Sequence, residues 1–447
     1  MLEIVVITLM ILFISLKLEK ITKIASPVII FSLSMLIIGL TGHSLIHINI
    51  SEFSEEMTVF IVLLVLVDAF ILKFKDLKKN YISLLYLAGV AIILSTLIGI
   101  YILDYTIFEK YNLTIGGIIV LFAMCLATDP VAVVATFKQY NIPHKLAFLA
   151  EGESLFNDAV ALIIFSSFGI FLLNGGKLSI SYGVSISTYV IFSSIIVGIL
   201  IGLIGLLLMK STKDTLTELV SVLLIAYLSF YIAEHFLHAS GLLAEIVAII
   251  TLTTIVEKSY DLSKKEIKKD EKRIENINGK RSTILVKKIL TNITNINRQK
   301  DILSYLSSFA LFINVFLFMS LASITNIDLL IHYWKEIVTM FVLTTIIRMM
   351  MMTKFLLLSK RFDSIEKIDI SGFFVLVFSG IKGGLSIVML HMLNVTVPNF
   401  EYLEMFTAIV SGVIIMSMFI YTFGLIITIK LNKTKFNKEV ELEKKEH

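Results

Sequence analysis

The sequence predicts an all-α integral membrane protein with about 13 transmembrane helices. Three observations carry that expectation. Of 447 residues, 57% are hydrophobic and only 17% charged, where soluble domains carry about 25% charged residues. Mean hydropathy is +0.91. Apolar runs of about the length that crosses a bilayer, roughly 20 residues, recur from end to end.

In order, the runs lie at 2–16, 24–42, 57–72, 81–103, 115–137, 145–172, 182–209, 215–233, 238–256, 303–323, 333–357, 370–394 and 404–430. Residues 1–257 thus hold the first nine spans and 303–430 the last four. Between them, 258–302 reads as a basic cytoplasmic loop, and 431–447 as a short charged tail. Glu3 and the lack of a basic opening argue against a cleaved signal peptide. A single cysteine rules out a disulfide scaffold or a four-thiolate metal site. No basic and aromatic groove suggests nucleic acid, and no GxxxxGK[ST] loop suggests a nucleotide-driven pump or an enzyme acting on one. No cofactor is expected.

The short connections alternate in charge. Lys17, Lys20 and Lys23, then Lys73 to Lys79, Lys138 and Lys145, Lys210 and Lys213, and Lys354 to Lys367 form one set. Glu52, Glu55 and Glu56, Asp104 and Glu109, Glu234, Asp328, and Glu401 and Glu404 form the other. By the positive-inside rule the basic set is cytoplasmic, so the amino end is outside, the carboxyl end inside, and the span count odd. Residues 258–300 carry 13 Lys or Arg and 5 Asp or Glu, enough to attract anionic lipid.

Ionisable groups inside spans are costly and mark function. Asp129 lies in the fifth span, and Pro130 after it disfavours helical geometry at that residue. The interruption would leave Thr128, Asp129 and loose carbonyls at mid-membrane depth, which only protein or water could satisfy. In the sixth span Ser154 and Asp158 are four apart, as are Glu153 and Asn157, so each pair shares a helix face. Oxygens around Asp158 suit a hard cation. A carboxylate in low dielectric can hold either a proton or a cation, and that exclusion is the logic of exchange; a polar cluster that locks helices is the other reading. Glu153 beside Asp158 needs a counter-charge, for which Arg348 and Lys382 are the candidates; Arg348 could instead reach toward the inner surface. Gly380-Ile381-Lys382-Gly383-Gly384 reads as a second interruption, in the twelfth span. Two discontinuous helices in corresponding places point to a transport site. Asp68 is a further embedded acid near the inner end of the third span, and Glu245 sits deep in the ninth with no assigned role.

ATDPVAVVA at 127–135 and EGESLFNDAVA at 151–161 resemble the paired signatures of the monovalent cation:proton antiporter-1 family. Arg348 within TTIIRMMM at 344–351, GIKGGLSIVM at 380–389 and SGLLAEIVA at 240–248 match in the same order, and the similarity runs over residues 1–430. The resemblance implies 13 helices in two inverted six-helix repeats, crossed discontinuous helices 5 and 12, and a homodimer in the cell membrane. It gives Asp158 the exchanging role, with Asp129, Thr128 and Ser154 completing the cation site. Asn157 supports that site, Glu153 and Arg348 form a stabilising pair, and Asp68 falls near the inner funnel. It implies Na⁺ as substrate, although Li⁺ and K⁺ are equally suited to oxygen ligands. Three features depart from the family pattern: lysine rather than arginine at 382, an acid at 245, and the long basic loop. With Asn157 before Asp158 there is one exchanging carboxylate, so exchange of one cation for one proton is expected, without net charge movement. A cation channel and a proton-coupled organic-solute carrier are the alternatives.

Overall fold

The computed structural model describes residues 2–41, 50–140, 142–211, 214–256 and 280–446. Every regular element among them is helical. In chain order the helices are α1 (Leu2–Thr22), α2 (Ser26–Thr41), α3 (Ile50–Ile71), α4 (Phe74–Tyr105), α5 (Ile115–Leu126), α6 (Pro130–Gln139) and α7 (His144–Leu173). Then follow α8 (Ile180–Ser211), α9 (Thr215–Phe236), α10 (Gly241–Val256), α11 (Lys280–Ile324), α12 (Ile327–His332) and α13 (Trp334–Arg361). The chain ends with α14 (Ile370–Phe378), α15 (Gly384–Thr396), α16 (Leu403–Leu431) and α17 (Lys433–Glu446). Among the described residues, eight stretches are long and apolar enough to cross a membrane, with α5 and α6 counted as one, and α2, α10, α15 and 58–71 are shorter apolar helices.

The chain divides into two compact units. The first comprises Met1–Ile61, Asp76–Thr188 and Phe312–His447, and the second Val62–Lys75 and Tyr189–Leu311. In the first, α5 is almost wholly buried and packs along the second half of α7. The approach is close because a glycine stands there: a Cβ at Gly169 would fall 2.5 Å from Val120 Cγ2. Both α4 and α7 carry a π-helical stretch, Leu85–Val90 and Ile164–Ile170, of the kind that gathers at functional sites.

Two segments differ from the sequence reading. Residues 258–279, the first part of the expected basic loop, lie outside the described residues, but from Lys280 the chain is already helical and runs unbroken into the apolar run at 303–323. No proline or glycine interrupts 280–324, so nothing in the sequence stops the helix at the membrane edge. The charged tail is also helical. α17 buries Phe436 to 1% exposure and is tied down by four residues. Lys435 pairs with Asp369 and donates to Ser371 Oγ, Glu439 pairs with Lys145 at 3.7 Å, and Glu443 accepts from the His144 N–H at 2.8 Å.

In the second unit, α9 starts at an Asp214 cap that accepts from Thr217 N–H at 2.9 Å, and Glu218 one turn on pairs with Arg298 of α11 at 3.7 Å. Asp68, half-buried on α3, belongs to this unit.

Candidate functional site

The fifth span breaks where Pro130 dictates. α5 ends at Leu126, Ala127 to Asp129 leave the helix, and Asp129 caps the N-terminus of α6 by accepting from Val131 N–H at 2.8 Å, with Pro130 in the first turn. The apolar run at 370–394 breaks where its glycines allow, between Phe378 and Gly384. The two breaks touch: the Asp129 N–H donates to the Ile381 carbonyl at 2.7 Å. Gly383 is required here by space, since a Cβ on it would fall 2.2 Å from Asp129. The Asp129 carboxylate also interacts with the Gly384 backbone, so one acid serves the N-termini of both α6 and α15.

Each C-terminal end at the crossing meets a cation instead. Lys382 donates from Nζ to the Leu126 carbonyl, the last of α5, at 3.2 Å. Arg348, on α13, donates from Nε to the Val377 carbonyl at 3.0 Å and from Nη2 to the Leu376 carbonyl at 2.7 Å, in the last turn of α14. Its other face forms a fork on Glu153 of α7, Nη1 to Oε1 at 3.0 Å and Nη2 to Oε2 at 2.9 Å. Both partners are buried, Arg348 at 9% and Glu153 at 2% exposure. A planar guanidinium can serve the carboxylate and two carbonyls at once, which an ammonium could not.

Against this frame α7 presents a polar strip. Thr128 Oγ1 donates to Ser154 Oγ at 3.0 Å, Ser154 Oγ donates to the Thr128 carbonyl at 2.9 Å, and Asn157 Nδ2 donates to Thr128 Oγ1 at 2.9 Å and to the Leu126 carbonyl at 3.2 Å. The Thr128 N–H donates to Asp158 Oδ1 at 3.2 Å. Thr128, Asp129, Glu153, Ser154, Asn157 and Lys382 are buried, whereas Asp158 is half-buried. Asn157 Oδ1 has no hydrogen-bond partner among the described residues. Beside it lies a cavity of about 20 Å³, lined by Ser95, Leu126, Glu153, Asn157, Arg348 and Lys382 among others, with room for about one water.

The structure therefore brings Thr128, Asp129, Glu153, Ser154, Asn157, Asp158, Arg348 and Lys382 into one cluster within the first unit, while Asp68 lies in the other. Sequence reasoning did not single out Ser417, whose Oγ accepts the Lys382 N–H at 3.0 Å from α16. A lone serine in an apolar run was its only signal. It also passed over Glu336, buried at the start of α13 and held by Lys110 Nζ at 2.7 Å and Tyr111 Oη at 2.9 Å.

Oxygens of a carboxylate, hydroxyls and freed carbonyls around a half-buried acid, set at two facing helix breaks, define a class: multi-span carriers built on discontinuous helices. The comparisons with known proteins place the chain within that class. A family model described as "Sodium/hydrogen exchanger, transmembrane" matches residues 4–278, and the chain belongs to this family, which is one of transporters and not of enzymes. Its members need no cofactor, the transported ions being substrates. A second model, an 8TM microsporidial transmembrane domain, matches residues 176–440.

Among individual relatives, the chain is 30% identical over 236 residues to the Na⁺/H⁺ antiporter NhaG of Bacillus atrophaeus, covering 49% of this chain and 44% of that protein. It is 34% identical over 163 residues to the Na⁺/H⁺ antiporter ApNhaP of Aphanothece halophytica, covering 35% and 30%. These matches thus span less than half the length of either relative. In fold it is similar to the sodium proton antiporter MjNhaP1 of Methanocaldococcus jannaschii, with a TM-score of 0.68 at 16% identity, over 94% of this chain and 99% of that one.

Proposed function

We propose that the protein is an antiporter that exchanges a monovalent cation, Na⁺ in the first place and Li⁺ or K⁺ as competitors, for H⁺ by alternating access. One observation carries this reading. Asp158 is the half-buried acid of an otherwise buried polar cluster, and it accepts from the Thr128 N–H at the break, where the Thr128 and Ser154 hydroxyls bond to each other. A carboxylate so placed offers a desolvated cation oxygen ligands, or takes a proton, and the two occupants exclude each other. Asp129, Thr128 and Ser154 complete the cation site, Asn157 orients Thr128, and Glu153, Arg348 and Lys382 hold the crossing together. Asp68 holds the acidic position of the third span that the family resemblance puts near the inner funnel. The names of the relatives support the choice of Na⁺ and H⁺.

The remaining features of the reading follow the family resemblance and the charge pattern of the loops. They are 13 helices in two inverted repeats, a homodimer in the cell membrane with its amino end outside, and contact of residues 258–300 with anionic lipid. With one exchanging carboxylate, one cation replaces one proton, and the membrane potential does not drive the cycle.

The test is proton flux in sealed proteoliposomes with an interior pH dye, at several clamped voltages. An acid interior should turn alkaline when Na⁺, Li⁺ or K⁺ is added outside, independently of voltage, and Asp158→Asn should abolish the response. Folded protein that moves no protons with any cation refutes antiport. Cation flux indifferent to the proton gradient makes it a channel.

A further inference from the structure

Glu245 lies near the middle of α10, in the second unit, with 0% exposure. Neither of its carboxyl oxygens has a hydrogen-bond partner among the described residues. The helices around it leave little space. On one side α8 presents Gly198 and Gly202, where a Cβ would fall 2.5 Å from the Ala244 carbonyl and 2.7 Å from the Ala248 carbonyl. Backbone meets backbone there, one residue before Glu245 and three after it. On the other side α9 and α10 run antiparallel. Gly241 packs on the Phe230 ring, where a Cβ would fall 2.6 Å from Cδ2, and about one turn away along each helix are Tyr227 and Glu245, close enough to interact electrostatically.

Among the described residues of the neighbouring helices, the charges that could compensate an ionised Glu245 are engaged elsewhere or lacking. α8 carries no acidic or basic residue from Tyr189 to Met209, and α10 has none besides Glu245. On α9, Glu234 accepts from the Gly241 N–H at 2.9 Å, and Glu218, two turns and more below Tyr227, pairs with Arg298 of α11. Asp214 caps α9, and Asp68 on α3 would only add negative charge. The titratable group across the seam is the Tyr227 phenol, which is no cation. A carboxylate without a cation or donors, in the interior of a membrane protein, is far costlier than a neutral carboxylic acid.

We propose that Glu245 is a second proton-binding site, separate from the exchange cluster, and that the close packing of α8, α9 and α10 exists only with that proton bound. The compact seam holds one proton that an opened seam releases to water. Raising the pH therefore favours opening, so the second unit is a pH-responsive element.

The experiment uses the full chain in lipid nanodiscs and compares wild type, Glu245→Gln, Glu245→Leu and Asp158→Asn. Hydrogen exchange of peptides from 241–256, corrected for the intrinsic pH dependence, should show opening that rises by up to about tenfold per pH unit in wild type and Asp158→Asn, the linkage slope for one proton. Both Glu245 variants should be flat. Infrared difference spectra should assign a protonated carboxyl to Glu245 that survives in Asp158→Asn. The same pH slope in the two Glu245 variants, an infrared signal of ionised Glu245, or a chain that folds only with an acid at 245 would each overturn the proposal. Because Asp158→Asn keeps Glu245, failure of the exchange reading leaves these outcomes unaffected, and the reverse holds too.

Discussion

Replacing Arg348 with methionine should be the most destabilising single change in the crossing, and its size can be worked from the structure. The guanidinium makes four hydrogen bonds, two to Glu153 and one each to the Val377 and Leu376 carbonyls. Methionine fills much of the volume but leaves Glu153, 2% exposed, as a buried charge without its partner. Breaking such a pair costs about 3–5 kcal/mol. Both carbonyls keep another donor, Ser379 Oγ on Leu376 at 2.9 Å and the Gly380 N–H on Val377 at 3.4 Å, so the expected loss stays at about 3–5 kcal/mol. Glu153→Gln together with Arg348→Met removes both charges, and should be less destabilised than Arg348→Met alone. Reversible unfolding in mixed micelles, followed by the fluorescence of the lone tryptophan, Trp334, provides the assay. A loss under about 1 kcal/mol for Arg348→Met, or a double variant as weak as the sum of its two singles, would refute the reasoning.

Three further outcomes follow from particular contacts. Gly383→Ala puts a methyl 2.2 Å from Asp129 and must push the two breaks apart, so cation-dependent proton flux should fall by about 100-fold while the protein still inserts and folds. Ending the chain after Asn432 removes the partners of Lys145, His144 and Asp369, and hydrogen exchange at the starts of α7 and α14 should accelerate by about 5–30-fold. Unchanged exchange there would mean that α17 does not hold those ends. The hydrogen bond from Lys110 to Glu336 raises the pKa of the lysine above its ordinary 10.5. A raised value means that stability is fully present below 10.5 and is lost as pH climbs through the folded value. Thermal unfolding above pH 10.5 should thus decline more steeply in wild type than in Lys110→Met, and parallel curves would exclude the contribution.

How much of this was legible in the sequence depends on what each residue needs. Apolar runs announce helices because hydropathy alone decides what can lie in lipid, and Pro130 announces a break because it removes a backbone donor. Arg348 and Lys382 were conspicuous as charges, but half of what holds them was invisible. The carbonyls of Leu126, Leu376 and Val377 belong to residues whose side chains say nothing about the role. Ser417 was hidden for the same reason, since a serine bonded to its own helix looks identical in sequence to one that serves a neighbour. The docking of α17 was unreadable because its anchor is one phenylalanine in a mostly charged stretch, and such a stretch reads as solvated.

The pattern of charges at the crossing has its own logic. Four helix ends meet there, and each is matched by a side chain of opposite sign: Asp129 at the N-termini of α6 and α15, Lys382 at the C-terminus of α5, Arg348 at that of α14. Counted as formal charges, the cluster has Asp129, Glu153 and Asp158 against Arg348 and Lys382, one negative charge in excess. On the exchange reading proposed above, either one monovalent cation or one proton on Asp158 removes that excess, so the two loaded forms carry the same net charge. A divalent ion would leave a surplus and the bare cluster a deficit. On that reading, a carrier that crosses readily only when its core is neutral trades one occupant for the other.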